Sequence, residues 1–75
     1  MEMPRAKTRE EAAFPILDYL EENPYGASIM KIAKETKLDK RTTMKWLNVL
    51  KREDKVFHFR LGSSKVYRLT KYRRA

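Results

Sequence analysis

Residues 28–56, SIMKIAKETKLDKRTTMKWLNVLKREDKV, contain two helical patterns that are separated by a short turn. The first pattern is an apolar stripe that consists of Ile29, Ile32 and Ala33. Ser28 precedes the stripe, and serine is a residue type that caps helix N-termini. The pattern fades at Thr36, and Leu38 is an apolar anchor in the turn that follows. These features predict a helix of about two to three turns that begins after Ser28.

The second pattern runs from residue 40 to about residue 52. Asp39 stands immediately before it and is the expected N-cap. Its apolar face follows the spacing i, i+4 and i+7 and consists of Thr43, Leu47 and Leu50. Trp46 flanks this face, and we interpret it as a residue at the edge of the core. A dimer contact or base stacking is the alternative role for this side chain.

A further helix is predicted before these two. Thr8 and Glu11 have the spacing of a capping box, and Asn23-Pro24 ends the helical pattern. Pro15 lies inside the pattern and removes one backbone donor. Either the helix is kinked between Glu11 and Pro15, or it begins later with Pro15 in its first turn. The sequence is compatible with both arrangements.

Two strands are predicted at the C-terminal end. Residues 56–61 and 65–70 are rich in aromatic and β-branched side chains, and the residues between them have turn chemistry. We expect a three-residue loop, 62–64, because this register gathers aromatic side chains on one face. It places Phe59 opposite Tyr67. A two-residue Gly-Ser turn is the alternative, and it places Phe59 opposite Val66.

This order of elements resembles the winged helix-turn-helix family of DNA-binding domains. The resemblance covers about residues 14–70, and its sequence segments are ILDYL (16–20), residues 28–56 and VYRLT (66–70). Its individual matches are the pair Ile32-Ala33, Leu38, Asp39 as the cap, Leu47, Leu50 and the strand start Val56. The family resemblance implies an α+β fold, a winged helix-turn-helix of three helices with a C-terminal two-stranded β-hairpin wing. The expected domain is 8–70, between a basic arm at 1–7 and a basic tail at 71–75.

The sequence departs from the family pattern at two positions. Family members often have Val or Ile where Thr43 stands, so this core position is more polar here. They often have Gly where Asp54 stands, which affects the connection between helix 3 and the hairpin.

The charge of the chain indicates a polyanionic partner. Its 75 residues include 18 Lys and Arg and 10 Asp and Glu, which gives a net charge of +8 and a pI near 10.0. Nucleic acid is the first expectation for the partner, and an acidic membrane surface is the second. Cysteine is absent and His58 is the single histidine. We therefore expect no metal site. We also expect no cofactor and no small-molecule ligand, because 75 residues leave no room for a ligand-binding domain beside the predicted fold.

Other classes of protein have little support in the sequence. The chain has no P-loop, no dinucleotide-binding turn and no Cys-His pair, so we expect that it is not an enzyme. It has neither a signal peptide nor an apolar run of about 18 residues, so we expect a cytoplasmic protein without a membrane span. Its few thermolabile residues resemble the usage of thermophilic proteins.

The predicted DNA contacts lie mainly on the outward face of helix 3. The predicted DNA-binding residues are Ser28, Lys40, Arg41, Thr42, Lys45, Asn48, Arg60 and Lys65. In the family the third helix lies in the major groove, where Arg41 would donate to a guanine edge and Thr42 would bond a phosphate or contact a thymine methyl. Lys40 and Lys45 would contact phosphates, and Met44 has no assigned role.

The remaining contacts are expected outside helix 3. Ser28 and the first amides of helix 2 can hold a phosphate, because helix N-termini attract anions. Arg60 and Lys65 would place the wing on the flanking backbone. The expected outward residues of the hairpin also include His58, as an ordinary surface or half-buried histidine, and Arg68.

These features together predict a small transcriptional regulator that binds double-stranded DNA. A homodimer is one arrangement that the sequence leaves open. The alternative function is a winged-helix module for protein interaction or RNA association within a larger transcription or replication assembly.

Overall fold

The computed structural model describes residues 8–72. Its three α-helices are α1 (Phe14–Glu22), α2 (Ile29–Thr36) and α3 (Lys40–Arg52), and its three strands are β1 (Ala27–Ser28), β2 (Val56–Leu61) and β3 (Ser64–Leu69). A π-helical segment, Arg9–Ala13, precedes α1, and a 3₁₀ turn, Thr70–Tyr72, follows β3. The predicted α+β winged helix-turn-helix is confirmed, with one short strand added.

The first helical region begins with the predicted capping box. The Thr8 hydroxyl accepts from the Glu11 N–H at 3.2 Å, and the Glu11 carboxylate accepts from the Thr8 N–H at 3.0 Å. The Phe14 N–H then bonds to the carbonyl of Arg9, a wider turn than an α-helix has. Pro15 falls in the first turn of α1, where its missing N–H costs least. The structure therefore combines the two arrangements that the sequence left open. The helical region begins at Arg9 with a wider turn, and Pro15 lies in the first turn of the α-helix that follows.

Both helices of the helix-turn-helix have the predicted N-caps. The Ser28 hydroxyl accepts from the Lys31 N–H at 3.2 Å, and the Asp39 carboxylate accepts from the Thr42 N–H at 3.3 Å. Each of these side chains satisfies an amide that has no partner within its own helix. The caps fix where α2 and α3 begin, and they therefore fix the turn between them.

Both helices also end in the same way. Lys37 and Asp54 each adopt the left-handed conformation with φ of 60°. The next residue then bonds back to the helix, from the Leu38 N–H to Ala33 O at 3.1 Å and from the Lys55 N–H to Leu50 O at 2.9 Å. This is the Schellman arrangement. Asp54 therefore keeps the backbone geometry that the family often builds with glycine, because aspartate tolerates this conformation better than most residues.

The register of the hairpin differs from our expectation. Leu61 pairs with Ser64 and Phe59 pairs with Val66, so the turn has two residues and the predicted pairing of Phe59 with Tyr67 is wrong. A shift of one residue moves every side chain of a strand to the opposite face. The observed register turns Val56, which is 1% exposed, toward the helices together with its partner Leu69. Burying Val56 and Leu69 therefore stabilises the hairpin more than placing the aromatic side chains on one face would.

A third strand extends the predicted hairpin. β1 has two residues and pairs antiparallel with β3, with Ala27 opposite Tyr67 and Ser28 opposite Val66. The sheet order is β1-β3-β2, so β3 is the central strand. The connection between α1 and α2 is therefore hydrogen-bonded to the hairpin.

The core lies between the three helices and one face of the sheet. It consists of Ala13, Ile16, Leu20, Ala27, Ile32, Leu47, Leu50, Val56, Tyr67 and Leu69. Thr43 is also fully buried, and its hydroxyl donates to the Asp39 carbonyl at 2.9 Å. The more polar residue at this core position therefore has a hydrogen-bond partner. Of the helices within residues 8–72, none is long and apolar enough to cross a membrane.

Candidate nucleic-acid interface

The outward face of α3 carries a polar and basic stripe. Its four residues recur at i, i+4, i+7 and i+11, and they are Arg41, Lys45, Asn48 and Arg52. All four are exposed, and they lie opposite the buried face of the helix. We call these four residues the α3 stripe. The helix is held from behind by its core contacts, so the stripe is presented to solvent on a rigid support.

The two other predicted contacts of α3 flank the stripe. Lys40 is exposed at the first residue of the helix. Thr42 is half-buried, and its N–H is bonded to the Asp39 carboxylate. Hydrogen bonds from the Thr42 side chain, and then from its backbone, lower the pKa of Asp39. Thr42 therefore contributes to the N-cap, whereas Lys40 is available to a ligand.

The cations of this surface have no acidic partners among residues 8–72. The ion pairs described there join Arg9 to Glu53 and Lys71 to Glu21. None of the predicted basic contacts takes part in them; these are Lys40, Arg41, Lys45, Arg60 and Lys65. Their charge is therefore free to attract an anion, which agrees with a polyanionic partner.

The wing carries the other two predicted basic contacts. Arg60 and Lys65 are directly opposite each other in the hairpin, and both are exposed. Gly62 and Ser63 form the turn beyond them, with Gly62 at φ of 65°. Two like charges at one cross-strand position repel each other, and an anion placed between them relieves that repulsion.

Ser28 lies beside one strand of the wing. It is half-buried on β1 and pairs with Val66, the neighbour of Lys65, whereas β3 separates it from Arg60 on β2. Its hydroxyl oxygen already accepts the bond that caps α2. The structure thus brings the predicted contacts together on α3 and on the wing, and it places Ser28 on the edge strand opposite Arg60 with its hydroxyl used by the cap.

The hairpin residues that we expected to point outward do not behave alike. Arg60 is exposed. His58 is half-buried, but it lies on the core-facing side of β2 beside Tyr67, with ring centroids 5.4 Å apart, so its predicted outward orientation is wrong. Arg68 has the predicted outward orientation, because it alternates with the buried Tyr67 and Leu69, and its guanidinium donates to Pro24 O at 2.7 Å and to Tyr72 O at 3.2 Å. Arg68 therefore links the loop before β1 to the 3₁₀ turn that follows β3.

Trp46 has the predicted position at the edge of the core. It is half-buried and packs against the core cluster. The Arg9 guanidinium lies 5.6 Å from the centre of its ring, a cation–π contact. Both contacts hold Trp46 within the fold.

Two further basic residues of α3, Lys51 and Arg52, were not predicted as part of this surface. Arg52 continues the spacing of Arg41, Lys45 and Asn48 by one more turn, so the helical period was a signal that could have found it. Lys51 lies on the flank of α3 that faces the wing, close enough to affect the His58 pKa. No sequence signal indicates that proximity, because it depends on how the hairpin packs.

A second concave surface has mixed charge. An open groove of about 490 Å³ runs between α1 and the end of β3, and the carboxylates of Asp18, Glu21 and Asp54 line it together with Lys55 and Lys71. Because Lys71 is paired with Glu21, whereas the predicted basic contacts of α3 and the wing have no acidic partners among residues 8–72, the surface of α3 and the wing is the better candidate. Within residues 8–72, no group of His, Cys, Asp and Glu residues has a geometry that could hold a metal ion.

Comparison with solved structures identifies close relatives. The Zalpha domain of PKZ from Carassius auratus, solved in complex with Z-DNA, is 34% identical to this chain with a TM-score of 0.69. The match covers 87% of this chain and 98% of that domain. The apo Zalpha domain of zebrafish PKZ is 29% identical with a TM-score of 0.71, and the match covers 76% of this chain and 88% of that one.

No family model and no curated protein matches the chain. The structural match extends over nearly the whole of the Carassius auratus domain, and both chains have the order of helices and wing described above. The chain belongs to the Zalpha family of winged-helix domains.

Proposed function

We propose that this chain binds double-stranded DNA through the α3 stripe, with the wing on the neighbouring backbone. The observation that carries the proposal is the set of exposed cations on α3 and the wing that have no acidic partners among residues 8–72. Phosphate contacts supply most of the affinity in such complexes, and each neutralised phosphate releases counterions. The net charge of +8 supports the same partner.

We further propose that the preferred form of the duplex is left-handed Z-DNA. The support is the Carassius auratus Zalpha domain, which was solved in complex with Z-DNA. In a Z-form duplex the base edges of the major groove lie on a convex surface, so a helix cannot insert there as it does in B-DNA. Arg41 and Lys45 would then contact the backbone, and recognition would depend on DNA shape more than on base sequence.

Insertion of α3 into the major groove of B-DNA is the second candidate. Arg41 favours it, because this exposed guanidinium lies in the first turn of α3 and can donate two hydrogen bonds to a guanine edge. The two arrangements differ in their expected selectivity. Reading of base edges discriminates between sequences within one form of DNA, whereas reading of shape discriminates between forms.

The test is binding to an alternating dC–dG duplex. If the chain prefers the Z-form, adding it should invert the circular dichroism of that duplex, and a random-sequence duplex should keep its B-form spectrum. Binding to both duplexes without inversion supports the B-DNA arrangement. If neither duplex binds, or if affinity does not decrease with salt, the proposed function is wrong.

Variants locate the contact surface. Lys45→Ala should reduce the slope of log affinity against log salt by about one. Lys34→Ala is the matched control, because it removes an exposed lysine of α2 that lies outside the α3 stripe. Equal effects of the two changes would indicate general attraction to the basic chain instead of a contact at α3.

We propose transcriptional regulation as the cellular role, with DNA binding as its basis. A reporter gene downstream of a dC–dG repeat should respond to the chain and not to its Arg41→Ala variant. The alternative is a protein-interaction or RNA-associated module, and competition with structured RNA tests the second of these. The mass of the complex on a short duplex would show whether one or two copies bind.

A further inference from the structure

β2 carries apolar residues on the face that points away from the helices. Val56 is 1% exposed and belongs to the core, so Phe57 and the alternate residues after it point outward. An antiparallel sheet that packs on one face usually presents polar residues on the other. β2 reverses that pattern, because its inward residues after Val56 are His58 and Arg60. The outward residues, which we call the outer patch, are Phe57, Phe59 and Leu61.

The outer patch lies outside the core of the domain. Among residues 8–72, the core cluster and the partly buried side chains packed against it include none of its three residues. Leu61 is 66% exposed, and the rings of Phe57 and Phe59 are half-buried with centroids 6.1 Å apart. Two aromatic rings and one aliphatic side chain thus form a row along the outside of the sheet.

Arg68 lies at one end of this row. Its guanidinium is 5.8 Å from the centre of the Phe57 ring, and it donates to the carbonyl oxygens of Pro24 and Tyr72. These acceptors have no net charge, so they do not neutralise the permanent charge of the guanidinium. The row of apolar side chains therefore begins beside a cation.

The other charges of the hairpin are also positive. The segment 55–75 has no Asp or Glu, and its basic residues are Lys55, Arg60, Lys65, Arg68, Lys71, Arg73 and Arg74. A ligand of the outer patch should therefore combine negative charge with flat apolar surfaces. A second copy of this chain does not meet that requirement, because it would bring a net charge of +8 against the same basic hairpin. A single strand of nucleic acid meets it, because its phosphates are anionic and each base has an aromatic face.

We propose that the outer patch binds unpaired bases of single-stranded nucleic acid. One base stacks on the Phe59 ring, its neighbour contacts Leu61, and the basic hairpin attracts the phosphates between them. The interaction is non-covalent and tolerates any base, because every base can stack. The helices pack on the other face of the sheet, so this site is separate from the α3 stripe. It adds a second nucleic-acid activity and does not rest on the proposed duplex binding.

The direct test compares a short oligothymidylate with an abasic oligomer of the same length and charge. In NMR spectra, the oligothymidylate should shift the backbone amides of Phe57, Phe59 and Leu61. Its affinity should exceed that of the abasic oligomer by at least about fivefold, because only the first can stack on an aromatic ring. Equal affinities, or shifts confined to α3, would overturn the proposal, because binding would then depend on phosphates alone.

An alternating dC–dG duplex separates this proposal from the proposed function. Duplex binding that shifts the α3 amides, without binding of the oligothymidylate, would overturn the outer patch as a site and leave the proposed function intact. Binding of the oligothymidylate at the outer patch without duplex binding would have the reverse meaning. If neither ligand binds, both proposals are wrong.

Variants test the same surface through affinity. Leu61→Ser changes an exposed side chain, and Phe59→Leu keeps an apolar group while removing the ring. Each should weaken oligothymidylate binding and leave duplex affinity unchanged, and Phe59→Leu should also abolish the preference over the abasic oligomer. Met30→Ser is the control, because this apolar residue of α2 is 72% exposed and lies outside the outer patch. A preference that persists in Phe59→Leu would contradict stacking.

Vesicles that contain phosphatidylserine test the other anionic ligand with an apolar region. The chain should not bind them through the outer patch. Vesicle binding that Leu61→Ser weakens, together with equal affinities for the two oligomers, would make this surface a membrane contact and would overturn the proposal.

Discussion

Arg9 and Glu53 are far apart in the sequence and form a two-bond ion pair, with Nη1–Oε1 and Nη2–Oε2 distances of 2.8 and 2.6 Å. The pair joins the π-helical segment to the residue that follows α3. The same guanidinium lies over the ring of Trp46. One arginine therefore connects the N-terminal part of the domain to the back of the candidate recognition helix.

This ion pair should make the stability of the domain sensitive to acid. Arg9 lowers the pKa of the Glu53 carboxyl, mainly through their hydrogen bond. A carboxyl whose pKa is lowered by folding stabilises the folded state above its unfolded pKa of about 4.3, and this contribution is lost as pH falls through the folded value. Thermal unfolding at several pH values should show that Glu53→Gln removes part of the decrease in Tm below about pH 4.3. Glu10→Gln, a change at another exposed glutamate, is the control, and an equal effect of both changes would contradict the prediction.

The two glycines should differ in their tolerance of alanine. Gly26 has φ of 92°, and a Cβ built there would lie 2.5 Å from the Arg68 Cγ and 2.7 Å from the Tyr67 carbonyl oxygen. Gly62 has φ of 65°, and a Cβ built there would have no neighbouring atom within 4 Å. Gly62→Ala should cost about 1 kcal/mol from its backbone alone. Gly26→Ala should cost at least about 2–3 kcal/mol, because the clash adds to the strain. Chemical denaturation measures both values, and equal losses would show that the loop before β1 can move away.

Asp54→Gly should stabilise the domain. Asp54 holds a left-handed conformation that glycine adopts without steric cost, and the gain should be up to about 1 kcal/mol after the greater freedom of glycine in the unfolded chain is subtracted. Lys45→Gly is the control, because glycine at this exposed position in the interior of α3 should destabilise by about 1 kcal/mol. A loss of stability in both variants would mean that the Asp54 side chain has a stabilising role of its own.

Ser28 can be tested as a cap and as a phosphate contact separately. Ser28→Ala should lower the free energy of unfolding by about 1 kcal/mol, since the Lys31 amide loses its partner. Ser28→Asp should keep the cap and the stability. If the start of α2 contacts a phosphate, the added charge in Ser28→Asp should also weaken DNA binding. Unchanged affinity in this variant would place Ser28 outside the interface.

The parts of the fold that were predicted correctly depend on local interactions. Ser28 and Asp39 cap helices within three residues of their own positions, and Thr43, Leu47 and Leu50 follow a helical period. Such features can be read from sequence because both partners lie within one or two turns.

The errors concern pairings between distant segments. The hairpin register depends on burial of Val56 against helices that come before it, and the aromatic content of the strands gave no indication of this. His58 was assigned outward for the same reason, because the register decides which face of β2 carries it. The approach of Lys51 to His58 has the same origin. Within the candidate site, the period of α3 could be predicted, whereas the relation of α3 to the wing could not.

The pairing of Ala27 with Tyr67 also has a consequence for the folding of the chain. These two residues close a loop that contains α2, α3 and β2, and Arg68 with Pro24 closes it again nearby. Closing a long loop costs entropy before the contacts within it are complete. The edge strand should therefore form late in folding and open early. In amide hydrogen exchange, β1 would exchange before the core of α3, and its opening would free the wing from the start of α2 while the helices remain packed.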